Sequence, residues 1–370
     1  MRRILALAAL SSIVLGGGGS AHALSKPTPV LSEPTRSKPV AAPVLPKPTG
    51  SKPVGTTSLH LVDSGRPDPW NPEAGKRELM VTLWYPAKRA EGRPAPYLTS
   101  QESAAVLKSY PDVPPDALTK VRTYARVDAP ARGTRLPLVV MSPGFSFPRA
   151  TLTSLGEDLA SRGYLVAAVE HTYESAATTF PDGRTTSCLA CVKGQDGAKV
   201  AASRVADVRF VLDELAKSRW GRMIGKVAMA GHSMGGNSAA QAMLADPRIK
   251  AGVNLDGTFQ PLVAPLKRPF MLVGAPKSHM PDGTDETWRD SWPNLKGAKR
   301  WITVAGTDHA AFVDYAVLRP QLGLPAQELD GARALRITRE HLASFLDRHL
   351  LGKRTPVKDY PEVTVHSPRP

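Results

Sequence analysis

Two rhythms of apolar and polar positions alternate along most of the chain. Short, nearly continuous apolar runs at 138–141, 164–169, 226–230, 249–255, 270–273 and 300–304 have the length and composition of buried strands. Between or after them lie stretches with a helical repeat: 152–162, 199–217 with Val205, Val208, Leu212 and Leu215 on one face, 235–244, and 334–351 with Leu342, Phe345, Leu346 and Leu350. Residues 58–62 and 77–85 predict an antiparallel pair ahead of this alternation. Strands that alternate with helices require right-handed crossovers onto a mainly parallel sheet with helices on both faces. The pattern therefore predicts an α/β fold in one domain, residues 57–370.

The first 56 residues follow neither rhythm. Met1-Arg2-Arg3, an apolar run at 4–15 that breaks at four glycines, and Ala21-His22-Ala23 read as a secretory signal peptide of residues 1–23. The apolar run is shorter than the roughly 20 residues a membrane-spanning helix needs. From 24 to 56 the chain is rich in Pro, Lys, Ser and Thr, with Ser-Lys-Pro recurring at 25, 37 and 51, which predicts an extended, disordered spacer. Secretion is the expectation.

Export changes how the two cysteines read, because it permits a disulfide. Cys188 and Cys191 form a C-x-x-C pair with no second pair to complete a zinc site, so a local disulfide or two inert thiols is expected, and no metal or cofactor. The net charge of +15 raises nucleic acid or anionic lipid as partners. No single stretch concentrates that charge with interleaved aromatics, so a nucleic-acid partner is not expected. Weak attraction to anionic lipid surfaces stays open, and a monomer is expected.

The chemistry centres on Gly231-His232-Ser233-Met234-Gly235. An apolar strand runs into this motif and a helix leaves it, the arrangement that lifts a serine hydroxyl above the carboxyl edge of a parallel sheet. A serine needs a base to take its proton. Of nine histidines, His309 stands out in Asp308-His309-Ala310-Ala311-Phe312, directly after the last apolar run. His171, also just past a strand, is second choice; His279 is set aside as lying in a polar loop, and the His232 side chain is expected to point away across the turn. For the acid, Asp256 in Asn254-Leu255-Asp256-Gly257 sits at a strand end twenty-three residues past the serine. Asp282 and Asp285 are the alternatives, since the loop after the following strand, Gly274-Ala275-Pro276-Lys277, carries no earlier carboxylate. The backbone N–H groups of Phe145, in Ser142-Pro143-Gly144-Phe145, and of Met234 are the candidate oxyanion donors.

These pieces resemble the α/β-hydrolase superfamily. Within it, Gly231-His232-Ser233-Met234-Gly235-Gly236, Asn254-Leu255-Asp256-Gly257, His309-Ala310-Ala311-Phe312-Val313-Asp314, Val169-Glu170-His171 and Leu83-Trp84-Tyr85-Pro86 resemble the platelet-activating factor acetylhydrolase branch. Ser142-Pro143-Gly144-Phe145 is also similar to actinobacterial cutinases, which carry the acid one strand later, where this chain has Ala275-Pro276-Lys277. The resemblance implies a serine carboxylester hydrolase acting through an acyl-enzyme on short-acyl or oxidised phospholipids or small esters. Polyester cleavage is the same-chemistry alternative, and a non-catalytic surface-binding protein with the same fold the alternative outside enzymes. Residues 88–130 and 173–198 match no motif of either group.

Overall fold

The computed structural model describes residues 42–192 and 196–367. The expected signal peptide and residues 24–41 of the expected spacer lie outside the described residues. Among the described residues the strands are β1 (Val54–Pro67), β2 (Lys76–Pro86), β3 (Arg126–Val127), β4 (Leu136–Ser142), β5 (Leu165–Glu170), β6 (Ala177–Thr179), β7 (Thr185–Ser187), β8 (Ile224–His232), β9 (Ile249–Leu255), β10 (Phe270–Gly274), β11 (Lys299–Val304) and β12 (Val363–His366). The helices are α1 (Ser100–Leu107), α2 (Thr153–Arg162), α3 (Leu189–Val192), α4 (Gly197–Lys217), α5 (Met234–Ala245), α6 (Pro276–His279), α7 (Thr287–Ser291), α8 (Tyr315–Gln321) and α9 (Gly331–Leu346).

Ten strands form one sheet in the order β12-β11-β10-β9-β8-β4-β5-β2-β1-β3. The six from β11 to β5 are mutually parallel, and β2 and β12 join its two flanks antiparallel. Because side chains alternate across a strand, each central strand feeds two cores. Leu138 and Val140 of β4 join Leu165, Ala167 and Val169 of β5 beneath α4 and α5, while Val139 and Met141 join Val166 and Ala168 beneath α2 and α9. Burial on both faces is why these strands read as continuous apolar runs rather than as alternating ones. The antiparallel pair of 58–62 and 77–85 is the centre of a longer hairpin, β1 with β2.

Residues 42–56, assigned from composition to the disordered spacer, are instead packed on the domain. Leu45 is buried, Arg122 N donates to Pro43 O at 2.8 Å, and Thr49 donates to Asp158 Oδ1 at 2.7 Å. Proline removes N–H donors but leaves its carbonyls, and an extended segment presents them in a row. Pro46 O is taken in this way by the Arg339 guanidinium. The boundary therefore lies at or before residue 42 rather than after 56. Residues 352–362 with β12 after them, and the β6–β7 hairpin, carry too little apolar pattern to be seen in the sequence.

Candidate active site

β8 ends at His232, and α5 begins at Met234, so a single residue, Ser233, makes the turn. It does so at φ 55° and ψ −124°, a strained conformation for a side-chain-bearing residue that the neighbouring packing imposes. The glycines are a steric requirement of that turn. A Cβ on Gly235 would fall 1.9 Å from Ser142 O, and one on Gly231 would fall 2.2 Å from the Gly235 backbone. Ser233 N donates to Leu255 O at 2.8 Å, tying the elbow to the end of the next strand, β9.

Asp256 stands directly beyond β9, also in the left-handed region at φ 58°. Its Oδ2 accepts from His309 Nδ1 at 2.7 Å, across 53 residues of sequence. His309 opens a single 3-10 turn after β11, capped by Asp308, whose Oδ1 accepts from Ala310 N at 3.0 Å. The side chain of His309 is 53% exposed while Asp256 is 2% exposed, so the carboxylate lies beneath the sheet edge and the imidazole faces outward above it. The structure thus brings together the two side chains expected to serve as acid and base.

His279, set aside in the sequence reading, belongs to the same cluster. Pro276 starts the one-turn helix α6 immediately after β10 and swings His279 back over the strand end. Its Nδ1 is 2.7 Å from Asp256 Oδ1 and its Nε2 is 3.0 Å from Asp285 Oδ2. Asp285, an alternative acid, therefore meets His309 only through His279 and Asp256. Burial acts to raise the Asp256 carboxyl, but hydrogen bonds from His279 and His309, and then their charges, hold it down at about 2. For His279, burial acts to lower the imidazole, and the hydrogen bonds to Asp256 and Asp285 outweigh it and lift it to about 9. Proline directly after a strand end, with histidine three residues on, was the available signal.

His232 does not point away from the site. Its ring is buried, and its Nε2 donates to His309 O at 2.7 Å, supporting the 3-10 turn from below. Burial first, and the nearby His309 second, push it down to about 3, so it stays neutral.

The expected oxyanion loop runs off β4 onto the start of α5, where Ser142 O and Pro143 O lie against Gly235. Met234 is the first residue of α5, and such an N–H has no acceptor within its own helix. The Phe145 amide donates to no protein acceptor among the described residues. Behind this loop lies a buried polar network. Arg204 NH1 donates to Pro143 O at 2.6 Å and to Ser142 Oγ at 3.1 Å, and its Nε donates to Glu174 Oε2 at 2.7 Å. Arg77 bridges Asp68 and Asp207, and Asp207 in turn accepts from His171 Nδ1 at 2.8 Å. His171, the second-choice base, is engaged on both ring nitrogens here, with Nε2 3.0 Å from Ser142 Oγ. Burial, followed by the Arg204 charge, lowers it, so its contact with Asp207 is a hydrogen bond from a neutral ring.

Replacing one partner of such a network leaves the other buried and uncompensated. Arg204→Met is expected to cost about 3–5 kcal/mol of stability in a urea unfolding curve by taking the donors away from Glu174 Oε2 and Pro143 O. A cost below about 1 kcal/mol would show that the network does not hold the loop.

Residues 88–130, unmatched by any motif, form one wall of a recess beside the site. A cavity of about 270 Å³ is lined by Val106, Leu107 and Leu118 from that segment and by Leu318 and Leu322 of the α8 region. Phe147 and Ala310, neighbours of the candidate oxyanion loop and of His309, close its near end. Cys188 and Cys191 are joined in a disulfide, Cα–Cα 5.3 Å, in the 173–198 segment. No helix among the described residues is long and apolar enough to cross a membrane.

Comparison with known proteins places this architecture. A solved structure of a ferulic acid esterase from Streptomyces cinnamoneus superposes with a TM-score of 0.79 at 41% identity, covering 88% of this chain and all of that one. Platelet-activating factor acetylhydrolase of the dog, Canis lupus familiaris, is 25% identical over 73% of this chain and 68% of its own length. A probable 1-alkyl-2-acetylglycerophosphocholine esterase of Arthroderma benhamiae is 24% identical over 62% of this chain and 65% of its own length. Fold and relatives together define a carboxylic ester hydrolase with the α/β-hydrolase fold. More particularly, the sequence profile of the family described as "Platelet-activating factor acetylhydrolase, isoform II" matches residues 45–186 and 189–360, and the chain belongs to that family.

Proposed function

We propose that this chain is a secreted serine esterase that works through an acyl-enzyme on small esters whose acid portion is short and apolar or aromatic. The observation that carries this reading is the serine elbow at φ 55° beside a His309–Asp256 pair closed at 2.7 Å. On it, His309 takes the Ser233 proton as the hydroxyl attacks the ester carbonyl, and Asp256 holds the imidazole in the tautomer with its free nitrogen outward. The amides of Phe145 and Met234 receive the developing oxyanion. His309 then returns the proton to the departing alcohol, and a water molecule repeats the sequence to release the acid.

The recess of about 270 Å³ supports the substrate class. Its apolar wall suits a compact acyl or aryl group. A short-acyl phospholipid is the second reading, favoured by the acetylhydrolase relatives, because an acetyl group fits the same recess and leaves the headgroup outside. The disulfide is compatible with export into an oxidising compartment.

Labelling with a fluorophosphonate followed by peptide mass spectrometry tests the mechanism, and the adduct is expected on Ser233. In parallel, kcat/KM is measured for p-nitrophenyl esters from acetate to dodecanoate, for methyl ferulate and for a short-acyl phosphatidylcholine. The expected profile peaks at short to medium acyl length and falls for dodecanoate. Absence of both labelling and turnover in the folded chain would sink the enzyme mechanism, and a maximum at dodecanoate would sink the substrate class.

A further inference from the structure

We propose that His279 is a positioning residue for the hydrolytic reaction: a second imidazole, held charged between Asp285 and Asp256, that fixes the Asp256 carboxylate from behind and offsets part of the charge it presents to His309. This rests on the acyl-enzyme reading above. The argument begins with hydrogen-bond capacity. A neutral imidazole donates from one nitrogen only, and its other nitrogen is an acceptor. His279 places both nitrogens on carboxylate oxygens, Asp256 Oδ1 at 2.7 Å and Asp285 Oδ2 at 3.0 Å, and an ionised carboxylate has nothing to donate. Both contacts are satisfied together only by the imidazolium.

The surroundings hold that arrangement rigid. The His279 ring stacks on Trp288 at 4.0 Å between centroids, and the His279 carbonyl accepts from Trp301 Nε1 at 2.8 Å. Asp285 is fixed in turn by Thr258 Oγ1 at 2.5 Å and by Thr287, whose N and Oγ1 donate to its Oδ1 at 2.9 and 2.6 Å. The titratable groups facing His279 are Asp256 from the end of β9, Asp285 from the loop after α6, and His309 beyond Asp256. The exposed Glu286 shares the cavity they line. Trp288 and Trp301 complete the enclosure without charge.

The consequence for Asp256 is a division of labour between its oxygens. Oδ1 is fully engaged by His279 Nδ1 and by Ala275 N at 2.6 Å, which leaves Oδ2 to His309 alone. The orientation of the carboxylate is thereby set before His309 meets it. Electrostatically, one positive charge stands between two negative ones, so His309 senses little more than a single partly compensated carboxylate. Without the imidazolium, Asp256 and Asp285 would both favour the protonated form of His309, which is inactive as a base.

Two measurements test this. His279→Asn keeps a donor toward Asp256, with the amide nitrogen where Nδ1 stood, but removes the charge. Its kcat/KM profile for p-nitrophenyl acetate is expected to show an acid limb moved up by about one pH unit, with the plateau rate within about tenfold of the unmodified chain. His279→Ala, which also removes the donor, is expected to lose more at the plateau. An acid limb that stays in place in His279→Asn would overturn the proposal and reduce His279 to a packing residue. The second measurement needs no substitution at 279. A histidine NMR titration of the Ser233→Ala chain is expected to show one buried ring that stays protonated through pH 8, in keeping with its lift to about 9. Loss of that proton below pH 7 would also overturn it. Turnover retained by Ser233→Ala itself would instead sink the acyl-enzyme reading, a result separable from either outcome for His279.

Discussion

Replacing Ser233 with alanine is expected to lower kcat for p-nitrophenyl acetate by about 10⁶-fold, to a residual rate set by binding and the oxyanion donors. The elbow makes this a clean test. Its backbone hydrogen bonds, from Ser233 N to Leu255 O and from Gly236 N to Ser233 O, both 2.8 Å, do not involve the side chain and survive the change. The melting temperature is therefore expected to stay near that of the unmodified chain, and a loss of activity with an unchanged melt assigns the effect to the hydroxyl. Fluorophosphonate labelling should vanish at the same time. Activity within tenfold of the starting chain would remove Ser233 from the mechanism and leave the serine reading without a nucleophile.

Asp256→Asn is the second large effect, a fall of about 10⁴-fold in kcat at neutral pH. An amide in this position cannot hold every donor now aimed at it. Oδ1 accepts from Ala275 N and His279, and Oδ2 accepts from His309, so three N–H groups converge on two oxygens. Once one oxygen becomes an NH₂ group, whichever side it occupies meets a donor head-on. The amide oxygen is expected to turn toward the buried Ala275 and His279 side, which forces His309 into the tautomer that aims a hydrogen at Ser233 and takes away the base. Asp282→Asn, the first carboxylate after the strand whose end carries the acid in cutinases, is expected to leave kcat within a few fold. The opposite ranking, with Asp282 essential and Asp256 dispensable, would reassign the acid. Both outcomes are read from kcat on one ester, with circular dichroism to confirm folding.

The parts of the candidate site that could be read in the sequence share one property: each is announced by a regular element next to it. Ser233 follows β8 and precedes α5, Asp256 ends β9, and His309 follows β11. A strand buried on both faces must be apolar throughout, so its end is a visible boundary, and a polar residue just beyond it stands at the sheet's carboxyl edge. His279 sits at a similar boundary but one helical turn further on, and a four-residue helix has no periodicity to reveal it. The polar network behind the loop after β4 was hidden for a different reason. Arg77, Arg204, Asp68, Glu174 and Asp207 are each residue types that normally face water, and nothing local tells that they are buried together. Residues 42–56 misled in the reverse sense, because a proline-rich composition describes what a segment cannot do by itself and is silent on the carbonyls it offers to Arg122 and Arg339.

The sequence by itself determined the α/β alternation, the strained serine turn with its small neighbours, and the strand ends that carry Asp256 and His309, because all of these depend on residues within a few positions of one another. The tertiary structure alone decided which groups share a carboxylate, how charge is compensated beneath the candidate site, and what shape the recess beside it takes. Those properties depend on distances between residues 23 to 130 positions apart, such as His279 with Asp256 and Arg77 with Asp207, and on burial, which turns ordinary surface charges into a fixed field.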